Sequence, residues 1–67
     1  MLVLQVNGTS REFPSGSHVD NLIAALQLSG KRFAIELNGE IVPKSRHAAT
    51  ILNNGDKLEV VVAVGGG

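Results

Sequence analysis

The sequence predicts an α+β domain in which a mixed sheet of about five strands carries one main helix on one face. Two Asn-Gly pairs, Asn7-Gly8 and Asn38-Gly39, each lie between short segments of strand-like alternation, as in β-hairpins. Only one stretch of the chain has apolar residues at convincing helical spacing. A single helix and a small sheet can bury their apolar sides only against each other, so both belong to one layered domain.

The first hairpin is predicted from the opening residues. The segment MLVLQV alternates along a strand, with an inward set and an outward set: Leu2, Leu4 and Val6 against Val3 and Gln5. Asn7-Gly8 tolerates the positive φ of a tight turn, so the next segment, TSREF, should fold back at once and stop at Pro14.

The helix is predicted to begin at Ser17. Its hydroxyl can accept an otherwise unpaired backbone N–H, and Asp20 places a carboxylate in the favourable first turn. Ser29-Gly30 should end the helix after about three turns, with Gly30 as a left-handed cap. The apolar face of the helix consists of Val19, Leu22, Ile23 and Leu26.

The remaining strands follow from the segment RFAIELNGEIV and from the apolar end of the chain. Phe33, Ile35 and Leu37 point to one side of the third strand, and Pro43 ends the short fourth strand. KSRHAAT is irregular, with room for one helical turn, and NNGD is a strong turn signal. The last strand, KLEVVVAV, alternates at first and is then apolar on both faces, which fits a central strand or one whose outer face meets a partner.

The resulting order is strand, strand, helix, strand, strand, strand. The first and last strands carry the most apolar runs, so we expect them to lie side by side in the sheet centre. They would then be parallel, which the long intervening chain permits. This is a β-grasp, or ubiquitin-like, architecture over residues 1–64, followed by a flexible glycine tail at residues 65–67.

Composition excludes several classes of function. The 67 residues carry six basic and six acidic side chains, and this balance does not suggest a nucleic-acid footprint or a basic membrane-surface helix. Without cysteine, the chain has no disulfide framework and no side-chain thiol chemistry. A small cytoplasmic protein with no nucleic-acid or membrane partner is the expectation.

The side chains make a poor active site. His18 and His47 are predicted to be surface residues, because neither has a second ligand at metal-binding spacing. Glu36 and Glu40 flank a hairpin turn and fit a solvated rim better than an acid/base pair. We therefore expect no catalytic residue, no metal site and no bound cofactor, and the protein should not be an enzyme in its own right.

The tail Gly65-Gly66-Gly67 is the feature that points to chemistry. Glycine has no side chain, so a partner can enclose the backbone in a narrow channel and reach an unhindered terminal carboxylate. Conversion to an acyl-adenylate with ATP would make that carboxylate electrophilic. Ordering the three residues costs about 1–2 kcal/mol each, so a docking surface on the folded domain must offset that cost.

A candidate docking surface follows from the alternation of the last strand. If Leu58, Val60 and Val62 point inward, Val61 and Ala63 point outward on the open face of the sheet. Val3 on the neighbouring first strand is expected to join them in a small exposed apolar patch. Such a patch beside a reactive tail is a plausible partner site, with ordinary exposed surface as the alternative.

These features together resemble a known family. LNGEIVPKSRH (residues 37–47), LNNGDKLEVVVAVGGG (residues 52–67) and the opening VNG hairpin are similar to the thiamine-biosynthesis sulfur carrier family, ThiS. The resemblance covers nearly the whole chain, and it implies a β-grasp carrier that is a co-substrate of enzymes. Gly66 and Gly67 match the family's Gly-Gly end, and Gly65 adds a third glycine compatible with it.

The resemblance also implies a reaction sequence and a set of partners. A ThiF-like adenylyltransferase would use ATP and magnesium to adenylate the carboxylate of Gly67. Sulfur, ultimately from cysteine through a desulfurase or from another donor system, would convert it to a thiocarboxylate. Thiazole synthase would then take that sulfur to build the thiazole ring of thiamine.

Three alternatives share the same fold. A sulfur carrier for molybdopterin synthesis also ends in Gly-Gly, although its members are usually somewhat longer. A ubiquitin-like modifier would join Gly67 to a lysine of a target protein. A regulatory β-grasp module would only bind a partner, and extension of the chain beyond Gly67 would leave its function intact.

Overall fold

The computed structural model describes residues 1–63, and it has the predicted order of strands around one helix. The α+β class is confirmed. The elements are β1 (Leu2–Val6), β2 (Thr9–Phe13), α1 (Val19–Ala25), β3 (Phe33–Leu37), β4 (Glu40–Ile41), a 3₁₀ turn (Lys44–Arg46) and β5 (Lys57–Val62).

The five strands form one mixed sheet in the order β2-β1-β5-β3-β4. β1 and β5 pair in parallel, with Gln5 opposite Lys57 and Val6 opposite Leu58. The two hairpins and the β3–β5 pair are antiparallel. The first and last strands are therefore neighbours in the centre of the sheet, and the predicted β-grasp architecture is confirmed.

The helix begins one residue later than the sequence predicts, and Ser17 is not its cap. The hydroxyl of Ser17 instead donates to the carbonyl of Pro14 at 2.7 Å, which ties this residue to the preceding turn. His18 is the N-cap, and its backbone N–H donates to the side-chain oxygen of Asn21 at 2.7 Å. Asp20 lies in the first turn as expected.

The helix also ends earlier than predicted, at Ala25, and Gly30 does not cap it. Gln27 takes the left-handed conformation (φ 56°). Its N–H donates to Ala24 O, and the N–H of Leu28 donates to Ile23 O, which is the Schellman arrangement. Gly30 has a positive φ in a separate turn that follows. Because glycine is favoured but not required at such a cap, the sequence pattern misplaced the helix end by several residues.

The core lies between the helix and one face of the sheet. Val19 and Leu22 of α1 are fully buried, as predicted from their spacing. They pack in one cluster with residues from the strands and loops: Leu4, Val6, Phe13, Ile35, Leu52 and Leu58. The inward positions that the alternation predicted on β1 are confirmed: Leu4 and Val6 belong to this cluster, and the partly buried Leu2 packs against it.

The short helix leaves the far end of β5 partly uncovered. Seven residues of helix span only about 10 Å, whereas six residues of strand span about 20 Å. Val62, predicted to point inward, pairs with Phe33 of β3, yet 37% of its surface is exposed. The strand itself ends at Val62, two residues before the predicted end.

The described helix is too short to cross a lipid bilayer.

Candidate functional site

The candidate site lies at the end of β5, where the chain leaves the sheet. The N–H of Ala63 donates to the carbonyl of Arg32 at 2.9 Å, so Ala63 still lies beside the start of β3. The predicted reactive tail, Gly65, Gly66 and Gly67, lies outside the described residues, as does the predicted domain boundary at residue 64. The described part of the chain fixes the point from which those residues depart.

Asn7 holds β5 close to that point. Its side-chain oxygen accepts the N–H of Val60 at 2.7 Å, and its side-chain nitrogen donates to the carbonyl of Val60 at 3.0 Å. The backbone N–H of Asn7 also donates to Leu58 O at 2.9 Å. The amide side chain therefore acts as one further residue of β1, and it continues the parallel pairing after the backbone has turned into the hairpin.

Asn38, the first residue of the other Asn-Gly turn, holds the start of β5. Its backbone N–H donates to Lys57 O at 2.8 Å, and its side-chain oxygen accepts the N–H of Lys57 at 3.0 Å. Its side-chain nitrogen donates to the buried carboxylate of Asp56 at 3.1 Å. The sequence identified both asparagines only as turn residues. An Asn-Gly pair predicts a hairpin, and it carries no information about a third strand beside the turn.

The open face of the sheet, opposite the helix, carries an apolar patch next to the chain exit. Val61 is 64% exposed and pairs with the exposed Ala34 of β3. Ala63 is also exposed. On the next strand, Ile41 is 61% exposed and lies opposite Glu36. We call Ala34, Ile41, Val61 and Ala63 the apolar patch.

Val3 does not belong to this patch, contrary to the expectation from sequence. It is exposed on the open face (42%), but its carbonyl accepts the N–H of Gly55, six residues before Val61. Six residues of strand separate the two side chains by about 20 Å. The alternation assigned the correct face to Val3, whereas its position along the neighbouring strand depends on the β1–β5 register, which alternation does not determine.

Two acidic side chains border the apolar patch. Glu36 and Glu59 are direct cross-strand partners on β3 and β5. Like charges directly opposite each other destabilise a sheet, by roughly the same 0.2–1 kcal/mol that an opposite pair contributes. Glu40 is exposed next to the turn, as expected for a solvated rim. The open face therefore combines an apolar surface with local negative charge.

His47 is not a surface residue, so that prediction is wrong. Only 8% of it is exposed, and its ring stacks on Phe33 with centroids 5.9 Å apart and planes inclined by 20°. Nε2 lies 3.1 Å from the carbonyl of Val42, which requires an N–H at that position. His18 is half-buried at the helix start. Among residues 1–63, no group of three His, Asp or Glu side chains is arranged to hold a metal ion.

Comparison with known proteins adds a family match. The model of the ThiS family matches residues 4–67, which is nearly the whole chain and includes the three glycines. The chain is 35% identical to the sulfur carrier protein ThiS of Bacillus subtilis over 66 residues, covering 97% of this chain and 100% of that protein. It is also similar to the crystal structure of a ThiS thiamine biosynthesis protein from Geobacter metallireducens, with a TM-score of 0.82 and 30% identity, covering 98% of this chain and 100% of that one.

A second kind of relative is much longer. The chain is 44% identical over 64 residues to a thiazole synthase of Paramagnetospirillum magneticum, covering 96% of this chain. It spans only 20% of the length of that protein.

Replacement of Asn7 tests whether its side chain anchors β5. Asn7→Gly removes both side-chain bonds to Val60 while tolerating the positive φ, whereas Asn7→Asp keeps an acceptor for the Val60 N–H. We expect Asn7→Gly to lower the free energy of unfolding by about 1–3 kcal/mol, and Asn7→Asp to lower it less.

Amide hydrogen exchange at Val60 is the specific readout for this anchor. Exchange should accelerate strongly in Asn7→Gly and much less in Asn7→Asp. Equal exchange rates in the two variants would contradict an anchoring role for the side-chain oxygen.

Proposed function

Because the chain belongs to the ThiS family, we propose that it is a sulfur carrier protein of thiamine biosynthesis whose cargo is bound at the carboxyl group of Gly67. The observation that carries the proposal is the reach of the family match, which runs through the apolar last strand to Gly67. The carrier chemistry needs no side chain: a terminal carboxyl group that follows glycine residues is sufficient, because glycine leaves that group unhindered.

The proposed cycle has three steps at Gly67: adenylation, formation of a thiocarboxylate and donation of its sulfur. The carboxylate attacks the α-phosphate of ATP, and pyrophosphate leaves to give an acyl-adenylate; magnesium is held with the ATP by the partner enzyme. A sulfur nucleophile then attacks the activated carbonyl carbon, and AMP leaves. With sulfide (HS⁻) as the nucleophile, the product is a thiocarboxylate. When the thiocarboxylate donates its sulfur, the C–S bond breaks, and an oxygen from water or from the acceptor bonds to the carbonyl carbon, which regenerates the carboxylate.

Three partners follow from this cycle. A ThiF-like adenylyltransferase activates Gly67, a cysteine desulfurase or other donor system supplies sulfur, and thiazole synthase consumes it. Similarity to a segment of the Paramagnetospirillum magneticum thiazole synthase supports the third partner, because that relative holds a similar sequence in the same polypeptide. In this scheme the carrier is a co-substrate and binds no cofactor of its own.

The described residues determine where the chain leaves the sheet on its way to Gly67. β5 lies between β1 and β3, and the N–H of Ala63 donates to the carbonyl of Arg32, so the described chain ends at a position held by both neighbouring strands. Val61 of the apolar patch lies on β5, the strand that leads to the exit. A partner that contacts Val61 is therefore within a few residues of the reactive group, and burial of that side chain offsets part of the entropy lost by the tail.

Extension of the chain by one residue beyond Gly67 tests the proposed chemistry. The extension moves the carboxyl group away from the position that the adenylyltransferase must reach, so ATP–pyrophosphate exchange dependent on the carrier should fall to background. Extension by one residue at the other end of the chain, where Met1 is exposed, is the control and should leave exchange unchanged. Full exchange with the extended protein would contradict the proposal and favour a module that only binds.

Val61→Lys tests the apolar patch as a docking surface. The variant adds a charge where a partner would bury an apolar side chain, so binding to the adenylyltransferase should weaken at least tenfold, or by about 1.4 kcal/mol. The fold should be retained, because Val61 is 64% exposed.

Val3→Lys is the matched control for that variant. It makes the same change on the same face of the sheet, about 20 Å from Val61 along the strands. Titration calorimetry with the adenylyltransferase compares the two variants. Equal affinity of Val61→Lys and Val3→Lys would remove the patch from the proposal.

A further inference from the structure

A groove beside the chain exit concentrates positive charge. It has a volume of about 370 Å³ and lies between the start of β3 and the segment that follows β4. Lys31 and Arg32 line one side, Lys44 lines the other, and no carboxylate is among its described lining residues. The chain as a whole has no net charge; Lys31 and Arg32 are neighbours in sequence, and the fold brings Lys44 to the same groove. We call this feature the basic groove.

Two residues that line the basic groove are held by contacts with their neighbours. Phe33 and His47 stack on each other there, and His47 is fixed by its Nε2 contact with Val42 O. The carbonyl of His47 also accepts the N–H of Asp20 at 3.2 Å, which ties this part of the lining to the start of α1. The aromatic part of the lining is therefore held in place by the fold.

The basic groove is continuous with both elements of the proposed carrier site. Ala34 and Ile41 belong to the apolar patch and also line the groove. Arg32 lines the groove and accepts the N–H of Ala63 through its backbone carbonyl. An enzyme that encloses the residues beyond Ala63 and covers Val61 must therefore pass close to Lys31, Arg32 and Lys44.

Resting on the proposed function, we propose that the basic groove docks an acidic segment of the adenylating enzyme, with carboxylates of that enzyme placed between Lys31, Arg32 and Lys44. Such contacts steer association and are screened by salt, so they bring partners together quickly without holding them for long. This suits a carrier whose single tail must leave the adenylating enzyme to serve the enzyme that consumes the sulfur.

The lining favours a protein carboxylate over a nucleic acid. Among the described residues that line the groove, the only aromatic side chain besides His47 is Phe33, which is half-buried and stacked on that histidine, so bases would find no exposed platform there. Lys31, Arg32 and Lys44 also line a neighbouring depression, where the carboxylate of Asp20 joins them, so Asp20 bounds the positive region on the side of α1. The apolar neighbours Ala34 and Ile41 are ordinary partners for a protein interface.

Charge reversal on the intact carrier tests this docking site. Lys31→Glu/Lys44→Glu reverses two charges in the groove, and Arg11→Glu/Lys57→Glu reverses two charges elsewhere on the sheet. Arg11 is exposed on edge strand β2, at the opposite side of the sheet from β4, and Lys57 is exposed at the start of β5. The KM for each carrier and the kcat are measured in the adenylation reaction, at low salt and in about 1 M salt, where the Debye length is about 3 Å.

We expect the groove variant to raise KM about tenfold or more at low salt, with kcat little changed, while the control pair stays near the wild type. High salt should bring the wild type close to the groove variant. Equal KM values for the two double variants, or a salt dependence unchanged by the groove substitutions, would overturn the proposal. So would competition by inorganic phosphate or a single-stranded oligonucleotide that is as effective as competition by a glutamate-rich peptide.

The wild-type reaction separates this proposal from the proposed function. If the wild type is adenylated and the groove variant behaves identically, the docking site is wrong and the carrier function stands. If the wild type is not adenylated by an enzyme shown to be active, the carrier function fails, and the docking proposal fails with it.

Discussion

The parallel pairing of β1 and β5 is the contact on which the rest of the structure depends. It joins the two ends of the domain across a long intervening chain, and it is short, with only Gln5–Lys57 and Val6–Leu58 in register. The side chain of Asn7 lengthens it by binding both backbone groups of Val60. Because β5 is the middle strand, this pairing buries Leu58 in the core and directs the chain towards its exit beside Arg32.

The β1–β5 pairing also separates the part of the molecule that positions the chain from the part proposed to react. The domain supplies a fixed exit and a surface, while the proposed chemistry occurs on a main-chain carboxyl group beyond the described residues. The surface carries three kinds of region side by side. The apolar patch borders the paired acids Glu36 and Glu59 on one side. On the other side it borders the basic groove, with Lys31, Arg32 and Lys44. A surface of this kind selects partners by charge pattern as well as by burial of apolar area.

Much of the fold could be predicted from the sequence, because strand alternation and Asn-Gly turns are local signals. They located both hairpins and the inward positions of β1, and the apolar runs indicated that β1 and β5 are neighbours. The helix ends could not be predicted as well. Ser17 has the side chain of a typical N-cap, but its hydroxyl donates to the carbonyl of Pro14 instead. At the other end, Gln27 adopts the left-handed conformation that the sequence pattern assigned to Gly30.

The site was predicted less completely, since it depends on contacts between distant segments. Val3 was assigned to the correct face but to the wrong end of the strands, because register is a property of the pairing. His47 is buried through its stacking on Phe33, and the basic groove forms only when β3 meets the segment after β4.

The central claim, that Gly67 carries sulfur, is tested most directly by the intact mass of the protein after incubation with ATP, magnesium, a sulfur source and the adenylyltransferase of the same organism. The account predicts a gain equal to replacement of one oxygen by sulfur, localised to the C-terminal peptide; an unchanged mass with a demonstrably active enzyme would contradict it.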